Sequence, residues 1–463
     1  MKIDYSISKK GFRIICDKKS LAINYPRDVW ETFPKKIRKN IVENLVFLST
    51  STLPTVTDTN RIEYNMNSPL LGSFFLKPIL YYVPSCAEEY GKDCFTIIKR
   101  LMNTTYHFKS YNIRVPEYTA DAKNKSCILF TFGKDSMLSF ALAEELGLDP
   151  ELVFVKEPDD SYYDKYSGKT FRSYQYKHIA KLISDFEKEF KRKIYLIENN
   201  VALMRNCDYF KVDEAELPWG SQLTEYALLM LPFNNFFKAR YIVYGNEASC
   251  SATYYNSQGF KTNPVFDQSG EWTFEISKIL RLLTKKISAI SFIEPIHELA
   301  IIKILHNRYP KYAKYQSSCF AVNDHAKKSR WCHHCSKCAR IYIFLLANNI
   351  DPKSVGFKEN MLTKSKIKLY ALFENIEFAS PYDLAGLGRD EQLLAFYLAY
   401  KNSAKGYLIE AFKKKYLREA TKRKSELIKE FYGIHESLTI PNYIRKKLDK
   451  IFKEELQSFL YQK

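Results

Sequence analysis

Residues 127–146 read CILFTFGKDSMLSFALAEEL. The apolar run from Cys127 to Phe132 predicts a buried strand, and Gly133-Lys134-Asp135-Ser136 a tight turn. Met137, Leu138, Ala141, Leu142 and Glu145 then recur at helical spacing, with Gly147 placed to cap the helix end. A strand feeding a helix through small residues aims several backbone N–H groups, and the positive end of the helix dipole, at one point. That point suits a phosphate, and Ser136 adds a hydroxyl to it. A carboxylate beside a bare phosphate is unfavourable, so Asp135 argues for Mg²⁺ between the two.

The spacing is not that of a Walker A loop, which needs G-x-x-x-x-G-K-[ST]. It resembles the PP-loop of ATP pyrophosphatases, S-G-G-x-D-S, written here as Thr131-Phe132-Gly133-Lys134-Asp135-Ser136. Thr131 keeps the hydroxyl, and Phe132 stands where the first glycine is usual.

Downstream, strand and helix patterns alternate to about Leu305. Apolar runs at Leu152–Val155, Ile194–Ile197, Tyr241–Tyr244 and Ile290–Ile293 predict strands. Phe171–Phe190, Ser221–Leu231, Trp272–Leu283 and His297–Leu305 predict helices. Such alternation implies parallel strands joined by right-handed crossovers, hence a doubly wound α/β sheet with ligands at the carboxyl ends of its strands. Gly245-Asn246-Glu247, after the fourth strand, is then expected to share a cleft with the phosphate loop.

Upstream, residues 1–120 predict a small α+β domain. Strands are expected near Tyr5–Ser8, Phe12–Ile15, Ala22–Tyr25, Asn60–Met66 and Leu76–Val83, and a helix over Lys35–Leu48. Cys86 and Cys94 are expected to be plain buried thiols. Residues 121–345 form the expected nucleotide domain. Residues 346–463 predict helices, with basic runs at Lys413-Lys414-Lys415, Lys422-Arg423-Lys424 and Arg445-Lys446-Lys447. These runs read as a solvated helical face or as a docking surface for a macromolecule.

The second strong signal is Cys319 followed by Cys332, Cys335 and Cys338. Two C-x₂-C steps with a fourth cysteine nearby suit a closed tetrahedral Zn²⁺ site, and an iron–sulfur cluster competes for the same ligands. Four thiolates leave no open position, so the metal is expected to be structural. His325, His333 and His334 are the substitute ligands.

Composition sets outer bounds. The chain has 463 residues and a formal net charge of +19, which favours anionic partners such as nucleotides or nucleic acid. The N-terminus lacks the apolar core of a signal peptide, and no apolar run is long enough to span a bilayer. With ten cysteines and no such leader, reduced thiols and a cytoplasmic location are expected.

Taken together, a PP-loop domain followed by this cysteine pattern resembles 7-cyano-7-deazaguanine synthase and its relatives, over about residues 125–345. Glu294-Pro295-Ile296 leading to Leu299 and Lys303, and Ser318-Cys319 leading to Arg340, fit the family's segments around its zinc site. Trp219-Gly220-Ser221-Gln222 and Glu225 stand about where the family carries an Arg-Asn loop, and Asn263–Gln268 near its substrate stretch. The resemblance implies an ATP-dependent C–N ligase that forms AMP and pyrophosphate and activates a 7-deazapurine carboxylate for attack by ammonia or an amine. Lys134, Asp135 and Ser136 would act on ATP, and Gly245, Asn246, Glu247, Trp272 and Glu275 would hold the purine-like substrate. The alternatives are a modifier of tRNA or protein, as in extended relatives from antiviral defence operons, and a non-catalytic, zinc-containing nucleotide-binding component of a complex.

Overall fold

A computed structural model describes residues 1–17, 19–57, 59–89, 91–113, 115–158, 161–164, 169–172, 174–205, 207–210, 220–319, 324–373 and 387–460. Its strands are β1 Lys2–Ile7, β2 Gly11–Cys16, β3 Lys19–Asn24, β4 Arg61–Asn67, β5 Thr105–Ser110, β6 Lys123–Leu129 and β7 Pro150–Lys156, then β8 Ser161–Asp164, β9 Lys169–Arg172, β10 Ile194–Asn199, β11 Ala239–Val243, β12 Tyr254–Tyr255, β13 Lys261–Thr262 and β14 Ser288–Ile290. Ten of them form one mostly parallel sheet in the order β14-β11-β6-β7-β10-β3-β2-β1-β4-β5. β8 pairs with β9, and β12 with β13, in separate hairpins.

The half of the sheet built from β6, β7, β10, β11 and β14 is wholly parallel. Its order places the first of these strands between the second and the fourth, so the chain reverses its direction of travel across the sheet between β6 and β11. A crevice opens at such a switch point, outside the carboxyl ends of the strands. β6 is buried on both faces because its side chains alternate between two cores. Ile128 faces one, with the helices Lys134–Glu145 and Glu298–Arg308, while Cys127 and Leu129 face the other, with Gln222–Phe237 and Gly270–Thr284.

Residues 1–120 continue the same sheet. β3 joins β10 antiparallel through Asn24↔Glu198 and Ile23↔Asn199, and Ile23, Tyr25 and Trp30 share a core with Ile197 and Phe233. Leu76–Val83 is a correction: it lies in the helix Leu76–Glu89. Its run of aromatic and branched residues suggested a strand, but Ile79, Val83 and Ala87 repeat every four residues and pack on Cys94, Ile97 and Leu101 of the helix Cys94–Met102. Pro78 sits in the first turn, where no helical N–H is lost. The expected helix over 171–190 begins at Gln175, because Lys169–Arg172 is spent on β9. The last sheet strand ends at Ile290, three residues before the expected Ile293.

The C-terminal region is helical at Leu387–Lys401, Tyr407–Lys415, Leu417–Phe431 and Asn442–Leu460, with short 3₁₀ turns between residues 352 and 373. It packs on the sheet, since Phe396, Phe412, Phe431, Leu448 and Phe452 belong to the core that holds Ile128 and Leu138. Among the described residues, no helix is long and apolar enough to cross a membrane.

Candidate active site and metal centre

The loop after β6 closes on the helix Lys134–Glu145, whose N-cap, Gly133, offers no capping side chain. The first intrahelical bond runs from the Met137 N–H to the Gly133 carbonyl at 2.9 Å, so the preceding amides point outward. Ser318 Oγ accepts from the Lys134 amide at 3.2 Å, and the Ser317 amide donates to the Phe132 carbonyl at 2.8 Å. The chain leading into Cys319 is therefore stitched to the loop after β6.

Phe132 adopts a left-handed backbone, φ 61°, the conformation a glycine takes most easily. Its fully buried ring turns away from the loop and packs on Phe130 and Phe186, with ring centroids 4.8 and 5.7 Å away. Phe132 thus holds a glycine-like backbone while its side chain serves the core. Gly245, which ends the segment after β11, packs so close to the loop that a Cβ there would lie 2.8 Å from Asp135 Cβ.

These loops line one cavity of about 350 Å³. Thr131, Gly133, Lys134 and Asp135 contribute from the first loop, Gly245 and Glu247 from the second, and Ser317, Ser318 and Cys319 from the third. Glu298, Lys337 and Arg340 complete the charged wall. Lys134 Nζ sits 2.7 and 2.8 Å from the two Asp135 carboxylate oxygens and 3.4 Å from Glu298 Oε1, while Arg340 Nε is 3.1 Å from Glu298 Oε2. Burial works against every charge here, and its outcome depends on partners. It pushes the Asp135 carboxyl upward against the pull of Lys134, and Glu247 upward against that of His297. Glu298 is held below the usual carboxylate range because Arg340 and Lys134 together outweigh burial. Lys134 stays firmly protonated, since Asp135, Glu298 and Glu247 outweigh its desolvation.

Five expected site residues stand outside the cavity lining. Ser136 is buried, with its hydroxyl 3.1 Å from both the Thr131 amide and the Gly133 carbonyl, so it shapes the loop from behind. Phe132 is in the core. Asn246 turns inward and donates to Thr273 Oγ1 at 3.0 Å. Trp272 is fully buried, its indole N–H donating to Thr224 Oγ1 at 2.8 Å, because the helix Gly270–Thr284 presents that face to the sheet. Glu275 pairs with Lys278 at 2.8 Å, one turn further along that helix. Of the Trp219–Glu225 stretch, Trp219 lies outside the described residues, and Glu225 is a buried partner of Arg205. Glu298 and Lys337 went unread in the sequence. Arg340 was placed by the cysteine pattern, and Asn263-Pro264-Val265, expected near the substrate, lines the cavity.

Beside the cavity, Cys319, Cys332, Cys335 and Cys338 are all buried, with their sulfurs within 4.8 Å of one another. Cys332 Sγ lies 3.8 Å and Cys319 Sγ 3.4 Å from Cys338 Sγ. Four thiolates at about 2.3 Å around one tetrahedral ion stand about 3.8 Å apart, so the set fits a single metal such as zinc and is too tight for a cluster with its own sulfides. The Cys332, His334 and Cys338 amides point at cluster sulfurs from 3.2 to 3.4 Å. Cys335 is also the N-cap of the helix Ser336–Ala347, whose dipole favours thiolates. His333 makes the knuckle turn at φ 58° and accepts from the Lys358 amide through Nε2, so it is not a fifth ligand. Cys86 and Cys94 are buried thiols outside this group.

Comparison of the chain with protein-family models and with curated proteins gives no match.

Proposed function

We propose that the chain is an ATP-dependent ligase with a PP-loop fold, related in chemistry to 7-cyano-7-deazaguanine synthase, and that its cysteine cluster holds a structural Zn²⁺. One observation carries this reading: the loops after β6 and β11 and the Ser317–Cys319 segment converge on a single cavity at the switch point of the sheet.

On this reading the triphosphate of ATP lies against the amides of Asp135 and Ser136 and the N-terminus of the Lys134–Glu145 helix. Lys134, Lys337 and Arg340 offset its charge from the cavity wall. Asp135, already facing the cavity, would hold Mg²⁺, which neutralises charge on the phosphate oxygens. Attack of a carboxylate oxygen on the α-phosphorus breaks the α–β bond and releases pyrophosphate. The acyl adenylate then has AMP as leaving group, and ammonia or an amine displaces it to give an amide. When ammonia is the nucleophile, a second ATP would adenylate the oxygen of the primary amide with release of pyrophosphate, and loss of AMP and the remaining N–H proton would leave the nitrile. Glu247 lines the cavity whereas Asn246 turns away to Thr273, and its carboxylate, which accepts from the Ser249 amide and hydroxyl, keeps lone pairs that would accept from N–H groups on a purine-like edge. The metal would act at a distance from the reaction by holding Cys319, and so Ser317 and Ser318, against the phosphate loop.

The test supplies Mg-ATP, 7-carboxy-7-deazaguanine and ammonium, and separates products by mass. AMP, pyrophosphate and a nitrile or amide, all dependent on the deazapurine, support the reading. Bound ATP with no deazapurine-dependent turnover overturns the small-molecule acceptor. The second reading, transfer to tRNA or protein by the same loop chemistry, draws on the exposed lysines 413–415, 422, 446 and 447 along the C-terminal helices.

A further inference from the structure

On the far side of Glu247 from the nucleotide cavity, three ligand-type side chains meet. His297, Glu430 and His435 each present a ligand atom within 4.8 Å of the other two. They come from separate elements: His297 caps the helix Glu298–Arg308, Glu430 lies in the last turn of Leu417–Phe431, and His435 follows that helix. The arrangement is built. Gly433 lets the chain fold back, since a Cβ there would sit 2.1 Å from the Lys429 carbonyl oxygen. The His435 amide donates to the Pro295 carbonyl at 2.8 Å, which pins the two histidine segments together.

The hydrogen bonds assign roles to the imidazole nitrogens. His297 is 3 % exposed at its side chain, and its Nε2 lies 3.3 Å from Glu430 Oε1. That separation is what two ligands show around one ion at bond lengths of about 2.0–2.1 Å. His297 Nδ1 is buried with no hydrogen-bond partner and faces Glu247 Oε2 at 4.0 Å. His435 Nε2 lies 2.8 Å from the Glu430 carbonyl oxygen, which fixes the proton there and leaves the lone pair on Nδ1.

We propose that His297 Nε2, the Glu430 carboxylate and His435 Nδ1 bind a second divalent ion, of the zinc class, distinct from the four-cysteine centre. Two imidazoles and a carboxylate suit zinc or another late first-row ion and leave a coordination position open. Metal on Nε2 fixes the His297 proton on Nδ1, directed at Glu247. A carboxylate behind a metal-bound imidazole orients the ring, and here that carboxylate also lines the cavity. Glu247 already accepts from the Ser249 amide at 2.9 Å, and occupancy of this site adds the His297 N–H to what orients it. The site stands independently of the ligase reading, because its test counts ions and needs no turnover.

The experiment incubates the full-length protein with Zn²⁺, desalts it and measures zinc per chain, with Co²⁺ loading to assign each equivalent by its thiolate charge-transfer absorption. The expected result is two equivalents in the wild type, one of them without thiolate absorption, and loss of that equivalent alone in Glu430→Gln and in His435→Ala. Glu430 is nearly half exposed, so its variant keeps the fold. A wild type that retains only the thiolate-bound equivalent, or a Glu430→Gln protein that retains both, overturns the proposal.

Discussion

Phe132 shows how one residue serves two demands. Its backbone supplies the left-handed turn of the loop after β6, and its ring fills the aromatic core behind that loop. The two terms have different sizes. Relief of a left-handed strain returns about 1–3 kcal/mol, whereas deleting a buried phenyl ring costs about 3–5 kcal/mol. Phe132→Gly is therefore expected to destabilise the protein by about 2 kcal/mol in urea unfolding, although glycine adopts the left-handed backbone more easily. Gly245→Ala tests the opposite case. Its Cβ has no room against Asp135, so the loop must shift, and Mg-ATP affinity is expected to fall about tenfold, or about 1.4 kcal/mol, in calorimetry. Asp267 gives a pH signature. Burial raises its carboxyl to about 6, while its oxygen accepts from the Leu223 amide. The folded state thus holds a proton that the unfolded state releases near pH 4, and stability from this group falls between about pH 4 and 6, by about 3 kcal/mol, then stays level. Asp267→Asn keeps the acceptor without the titration. Its stability relative to wild type is expected to rise over that interval, as read from denaturation at stepped pH.

At the scale of elements, what was legible followed from how local the signal was. The strand–turn–helix at 127–146 and the two C-x₂-C steps carry their chemistry within a few residues, so both were readable from the chain. The convergence of Glu298, Lys337 and Arg340 on the same cavity was not, because each sits in a helix whose facing is set by packing far along the sequence. Trp272 and Glu275 failed for the same reason: helical spacing gave a face, and only tertiary packing says whether that face meets solvent, a site or a sheet. Leu76–Val83 failed because strand-like residue types outvoted a four-residue period. Glu294 also reaches across the fold. Its carboxylate accepts from the Leu438 amide at 2.8 Å and the Thr439 amide at 3.1 Å, and so clasps the approach to the helix Asn442–Leu460. Glu294→Ala leaves two amides without acceptors, and is expected to cost about 3 kcal/mol and to speed hydrogen exchange in that helix before the rest of the molecule.

For the whole molecule, the ten-stranded sheet joins the wholly parallel half that carries the cavity to residues 1–120, and one core joins it to the C-terminal helices. Removing residues 1–120 would expose the β10 edge and the faces of Ile197 and Phe233 that β3, Tyr25 and Trp30 cover. A fragment starting at residue 121 is expected to form larger aggregates than the full chain does, as read by light scattering. The central claim, that the crevice between the β6 and β11 loops is a nucleotide site braced by a metal centre, is tested most directly by calorimetric titration of the zinc-loaded full-length protein with Mg-ATP. The account predicts saturable binding that Asp135→Ala abolishes without changing the circular dichroism spectrum. A zinc-loaded wild type that binds no Mg-ATP, or an Asp135→Ala protein that binds it as well as wild type, would contradict it.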